Sequence, residues 1–279
     1  APHFYEGVTL FTKRFNRRLN ADLESLRPLV GIKAIRDYVT RRIGKYRTFA
    51  DEHMGDVPIL FVPANYVFSV WGVIYMLLIG FGIYQALPSQ RDNPLLEKIG
   101  YWFALSCGAN ALWLVLFHYN LFALSMVTMV VLLISLIVIY TRIEVGQKAL
   151  SLKEKLFIHI PFSTYLGWIT VATVANASYV LYDAGWNGFG ISGEIWATAM
   201  IIIATGIVLL IIATRSDIAY VAVIVWAFAG IYVKQSETPI VANTAVAMAV
   251  VVVIALLIQR FINRDQMPIT TLHENRSVA

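Results

Sequence analysis

Residues 121–140 read LFALSMVTMVVLLISLIVIY, a run without a single charged side chain. An α-helix rises about 1.5 Å per residue, so a run of this length crosses the hydrocarbon core of a bilayer, which is about 30 Å thick. The run lacks the alternation of barrel strands, and open loops would leave their backbone groups without hydrogen bonds in lipid. The stretch therefore predicts a transmembrane α-helix.

Six further apolar runs have the same character. Together the seven runs cover residues 65–87, 98–118, 121–142, 156–182, 193–214, 217–234 and 238–262. The whole chain is 58% hydrophobic and 14% charged, whereas a soluble domain has about a quarter charged residues. We predict an all-α polytopic membrane helix bundle with about seven transmembrane helices. The sequence does not distinguish a bacterial inner membrane from an organellar membrane.

Residues 1–57 contain no such run and are rich in basic side chains. Residues 1–50 hold eleven of the chain's 22 Lys and Arg residues, against four acidic ones. Between Leu19 and Ile43 apolar and basic residues recur near helical spacing, with breaks at Pro28 and Gly31. We predict a basic amphipathic arm that lies on anionic lipid headgroups or on another membrane subunit. A solvated basic extension is the alternative, and nucleic acid is not expected as a partner.

The orientation signals in the loops conflict with those in the arm. Seven spans would place the two termini on opposite sides of the membrane. Most basic residues of the short loops share the side of the C-terminus: Arg91, Lys148, Lys153, Lys155, Arg215 and Arg264. Because short loops dominate the positive-inside rule, we expect the C-terminus inside, although the basic arm favours the opposite orientation.

No sequence feature indicates catalysis or metal binding. The seven runs carry no charged residue near their middle, which is moderate evidence against a proton-driven carrier. The single cysteine, Cys107, excludes an intramolecular disulfide and any multi-cysteine metal site. His118 and His159 lie near span ends, where an interfacial role is favoured over axial ligation of a pigment. We therefore predict a protein that is not an enzyme, with no catalytic residue and no metal ligand.

Three spans instead carry aromatic and small polar residues on defined helical faces. These faces are Phe68, Trp71 and Tyr75 in the first, Trp102, Ser106, Asn110 and Trp113 in the second, and Tyr165, Trp168, Ala172, Asn176 and Tyr179 in the fourth. An Asn at bilayer depth needs a hydrogen-bond partner, so Asn110 and Asn176 are expected to turn these faces toward one another. Ordinary helix packing and a pocket for a planar ligand both account for this pattern.

The segments that carry these faces resemble the TspO/MBR family of tryptophan-rich sensory or translocator proteins. They read FVPANYVFSVWGVIY (61–75), ALSCGANALWLVLFHYN (104–120) and PFSTYLGWITVATVANASYVL (161–181), with the span to Tyr140 between the last two. The resemblance implies a four-helix membrane core over residues 58–182. Three further helices over 183–262 and a polar tail over 263–279 would complete an extended seven-span branch.

The family resemblance also implies a ligand site within the membrane. Its lining would be Tyr66, Trp71, Asn110, Trp113, Trp168 and Asn176, with Pro63 shaping the loop that covers it. The implied ligand is hydrophobic and planar, namely a tetrapyrrole, a carotenoid or a sterol-like lipid, and no cofactor is predicted with certainty. The alternative hypothesis is a non-catalytic accessory subunit of a respiratory or photosynthetic membrane complex, with residues 1–57 contacting its neighbours.

Overall fold

The computed structural model describes residues 59–147 and 150–265, and this part of the chain is helical without any strand. The predicted basic arm, residues 1–57, lies outside the described residues, as does the tail beyond Asp265. The helices are α1 (Val70–Ala86), α2 (Pro94–Ile99), α3 (Trp102–His118), α4 (Phe122–Arg142), α5 (Ile160–Asp183), α6 (Gly193–Arg215), α7 (Ile218–Lys234) and α8 (Pro239–Asp265). A 3₁₀ turn, Asn65–Ser69, leads into α1, and a π-helical turn, Lys155–His159, leads into α5.

Long apolar helices occupy the positions of all seven predicted runs. Five segments are long and apolar enough to cross a membrane: Asn65–Ala86, Phe122–Arg142, Leu152–Asp183, Gly193–Arg215 and Pro239–Ile262. Helices α3 and α7 have 17 residues each, which corresponds to about 25 Å. The protein is thus an integral membrane protein whose described part is all-helical, and the count of seven spans stays a prediction.

Helix α5 lies at the centre of the helix packing, since it contacts α1, α4 and α7. All nine residues from 161 to 169 are buried. Gly167 permits the close approach of α7, because a Cβ there would lie 3.1 Å from the carbonyl oxygen of Tyr220. Helix α3 packs on α4, while α6 and α7 pack on α8.

Polar contacts join the loops at the end of the bundle that carries the short basic loops. Lys98 Nζ lies 3.0 Å from Glu144 Oε1, and the Tyr140 hydroxyl donates to the buried Asp217 carboxylate at 2.8 Å. A ring nitrogen of His159 lies 3.1 Å from the carbonyl oxygen of Ile143. His159 therefore has a structural partner, which favours its interfacial role. The orientation of this end in the membrane stays a prediction.

Candidate functional site

A cluster of aromatic rings surrounds Trp71, which lies on the first turn of α1. We call this set the Trp71 cluster: Phe68, Trp71, Tyr75, Trp113, Tyr165 and Trp168. The Trp71 ring is nearly parallel to the Tyr75 ring, with centroids 5.5 Å apart, and to the Trp113 ring at 5.9 Å. It meets Tyr165 and Trp168 edge-on at 6.1 and 6.2 Å. Rings from α1, α3 and α5 thus converge, which confirms that these three faces point toward one another.

Asn110 joins the Trp71 cluster through Tyr75. Its Nδ2 donates to the Tyr75 hydroxyl at 3.4 Å, a long hydrogen bond between α3 and α1. The side chain is only 7% exposed, yet its Oδ1 has no hydrogen-bond partner among the described residues. A buried acceptor without a donor costs about 1–3 kcal/mol, so the amide is only half satisfied.

Trp168 carries a second unpaired polar atom. The side chain is 2% exposed, and its Nε1–H has no acceptor within the described part of the chain. Its ring meets Phe68 edge-on at 5.5 Å as well as Trp71. The Trp71 cluster and the adjoining Asn110 therefore hold one buried donor and one buried acceptor that lack partners among the described residues.

Asn176, in contrast, is embedded in a closed network. Its Oδ1 accepts from the Ser125 hydroxyl at 3.1 Å and from Trp113 Nε1 at 3.4 Å. Its Nδ2 lies 3.4 Å from the sulfur of Met126. Both lone pairs of Oδ1 are used, so Asn176 ties α3, α4 and α5 together and leaves no acceptor free for a ligand.

Pro63 and Tyr66, the two remaining predicted site residues, contact α7. Pro63 is buried, and a Cβ added at Gly230 of α7 would lie 3.0 Å from Pro63 Cβ. The Tyr66 ring meets the Trp226 ring edge-on at 5.3 Å. Nothing in the residue pattern of α7 indicates that this helix contacts the segment.

The Trp71 cluster has an accessible side between α1 and α3. Tyr75 is 40% exposed and Phe68 is 42% exposed. Gly72 of α1 and Gly108 of α3 are also exposed, and a Cβ added at either would meet no other atom within 4 Å. The cluster is thus partly open at the Phe68 and Tyr75 rings.

The comparison with protein families identifies related proteins. A family model described as TSPO-like protein matches residues 45–258, which is most of the chain. The chain belongs to the TSPO-like family. The match extends beyond residues 58–182, on which the sequence resemblance rested, through α6 and α7 and into α8. No curated protein and no solved structure matches the chain.

Two further sets of residues contact the predicted lining residues of this TSPO-like protein. Phe68, Tyr75 and Tyr165 are part of the Trp71 cluster, and their helical spacing had already placed them on the right faces. Ser125 supports Asn176 from α4. Its only signal in the sequence is a hydroxyl within a largely apolar run, which Thr128 and Ser135 also carry.

Proposed function

We propose that this TSPO-like protein binds a hydrophobic planar ligand at the Trp71 cluster, inside the membrane. The observation that carries the proposal is the pair of buried polar atoms without partners, Asn110 Oδ1 and Trp168 Nε1. The hydrocarbon core offers no water to pair with these atoms. A ligand that forms hydrogen bonds with them therefore removes the free-energy cost of leaving them unpaired. The Trp71 cluster supplies the apolar surface on which that ligand rests.

The unpaired atoms favour some ligand classes over others. Trp168 Nε1 offers a donor, and Asn110 Oδ1 requires one. A free-base tetrapyrrole carries ring N–H groups, ring nitrogen acceptors and carboxylates, so it can satisfy both atoms. A sterol hydroxyl also donates and accepts, but from a single oxygen atom, and a hydrocarbon carotenoid has no polar atom at all. The proposed order of preference is therefore tetrapyrrole, then sterol-like lipid, then carotene.

The ring geometry is suited to a flat ligand. Trp71, Tyr75 and Trp113 lie within 25° of parallel in each contact. A planar molecule can extend this stack at the partly exposed Tyr75, and each aromatic pair adds about 0.5–1.5 kcal/mol beyond the area it buries. Ligand sites in proteins are typically lined by apolar and aromatic side chains with a few polar groups. The Trp71 cluster with Asn110 Oδ1 and Trp168 Nε1 has this composition.

A porphyrin titration tests this proposal. Protoporphyrin is added to the purified protein in detergent while tryptophan fluorescence is followed. We expect saturable quenching, and we expect Asn110→Leu to weaken binding by about tenfold, because the lost hydrogen bonds are worth about 1.4 kcal/mol.

Asn243→Leu is the matched control for this substitution. Asn243 lies on α8, which packs on α6 and α7, and its side chain is exposed. Its replacement should leave the binding curve unchanged. Non-saturable quenching in the wild type, or an equal effect of the two Asn→Leu substitutions, would sink the proposal.

The proposal assigns this protein a binding role without a catalytic step. A contact between residues 1–57 and other membrane subunits is a separate proposal, since these residues lie outside the described part of the chain. Co-purification in mild detergent, with and without residues 1–57, tests it.

A further inference from the structure

The segment before α1 is seated on α7 by a contact that only glycine permits. The amide of Ala64 donates to the carbonyl oxygen of Gly230 at 3.1 Å. A Cβ at Gly230 would overlap Val67 Cγ2 and would lie 3.3 Å from Val67 Cβ. Val67 is fully buried in this contact, so the segment and α7 fit together as a knob and a hole.

Trp226 holds the same segment one helical turn away from Gly230. Its Nε1 donates to the carbonyl oxygen of Val67 at 3.2 Å, while its ring meets Tyr66. Residues four apart lie on the same face of a helix, so Trp226 and Gly230 form one continuous contact surface for residues 63–67, which we call the seat. The seat holds residues 63–67 by one backbone–backbone hydrogen bond, by one hydrogen bond from the Trp226 side chain, and by side-chain packing.

The seated segment leads directly into the Trp71 cluster. Phe68 follows Val67 in the 3₁₀ turn, and its ring touches Trp168. Trp71 lies one turn further along, where the 3₁₀ turn continues into α1 without a break. A displacement of residues 63–67 must therefore move both rings relative to α5.

We propose that Trp226 and Gly230 are positioning residues for the ligand site, because their seat on α7 fixes Phe68 and Trp71 against Trp168. This inference rests on the proposed function. It adds residues of α7, a helix outside the predicted core of residues 58–182, to those that determine the geometry of the ligand site.

A clash-and-rescue experiment tests the seat. We expect Gly230→Ala to weaken protoporphyrin binding by about tenfold, as the loss of the Ala64 and Trp226 hydrogen bonds would. Val67→Ala in the same chain removes the overlapping methyl groups and should restore most of the affinity. Gly206→Ala on α6 is the control, because a Cβ there meets no atom within 4 Å.

A milder variant distinguishes an effect on binding from misfolding. Trp226→Phe removes the hydrogen bond to Val67 and keeps most of the ring, so it should weaken binding while the folded fraction, measured by gel filtration, is unchanged. If Gly230→Ala or Trp226→Phe lowers thermal stability but binds porphyrin like the wild type, the residues are merely structural and the inference is wrong.

A cross-link provides a readout that needs no ligand. Val67→Cys with Gly230→Cys, in a Cys107→Ser background, places two Cβ atoms 3.3 Å apart, close to the disulfide range of about 3.5–4.5 Å. Oxidation should form the cross-link, and its absence would contradict the seat. A wild type that binds no porphyrin overturns both proposals, even if the cross-link forms. A wild type that binds equally well after Gly230→Ala overturns only this one.

Discussion

Gly146→Ala should destabilise the folded protein more than any other addition of one methyl group to the described loops, by about 3 kcal/mol. Gly146 follows α4 with a φ of +74°, in the left-handed region that side chains disfavour. A Cβ there would overlap the carbonyl oxygen of Arg215, the last residue of α6, and would lie 2.8 Å from its carbonyl carbon. Both atoms belong to the backbone, so neither can rotate away.

Thermal unfolding in detergent, followed by circular dichroism, measures this effect. For a chain of this size about 3 kcal/mol corresponds to a fall in Tm of about 5–10 °C. Gly185→Ala is the control, because Gly185 has a φ of +69° and its Cβ would meet no atom within 4 Å. It should show only the conformational cost of about 1 kcal/mol. Equal shifts for the two variants would disprove the close contact between the turn and Arg215.

Asn176→Leu should lower stability by about 2 kcal/mol and affect ligand binding only secondarily. Leucine keeps roughly the volume of asparagine but offers no acceptor. The substitution leaves Trp113 Nε1 without its acceptor, whereas the Ser125 hydroxyl keeps its hydrogen bond to the carbonyl oxygen of Phe122. Three helices lose a common polar contact, so Tm should fall by about 4–8 °C.

A double-mutant cycle with Trp113→Phe isolates the contribution of this contact. Once Trp113 has lost its N–H, Asn176→Leu should cost clearly less, since one buried donor no longer lacks a partner. Additive effects would show that the hydrogen bond contributes nothing. A binding defect in Asn176→Leu as large as that in Asn110→Leu would contradict the assignment of Asn176 to a closed network.

The helices and the approach of three aromatic faces could be predicted from the sequence because they depend on local patterns. A run such as 121–140 is apolar over the length of a membrane span, whatever surrounds it. Likewise the spacing of Trp71 and Tyr75, and that of Trp168 and Asn176, places each pair on one face of its helix. Asn residues at bilayer depth then decide which way such faces turn.

The different roles of the two asparagines could not be predicted. Asn110 and Asn176 occupy similar positions among aromatic and small residues, and both motifs resemble the family. Only the neighbouring helices separate them: α4 supplies Ser125 and Met126 to Asn176, whereas Asn110 meets only Tyr75 with one side of its amide. This difference depends on tertiary packing, which residue spacing does not encode.

The role of α7 was equally hidden in the sequence. The sequences of helices α6 to α8 carry no polar motif like those around Asn110 and Asn176, so they predict apolar helices without a role in the site. The contact between Gly230 and Val67 joins parts of the chain that are far apart in sequence, and it depends on a missing side chain rather than on a present one. A glycine in an apolar helix does not by itself reveal which segment will approach it.

Trp168→Phe tests the central claim most directly, since it removes one unpaired N–H and keeps an aromatic ring. Melting temperature without ligand and protoporphyrin affinity are measured on the same preparation, beside the loop variant Trp186→Phe. If the buried N–H is unpaired without ligand and donates to the bound ligand, the substitution should weaken porphyrin binding. It should leave Tm without ligand unchanged or raise it, because an unpaired buried donor costs about 1–3 kcal/mol. Loss of stability with undiminished binding would contradict the account.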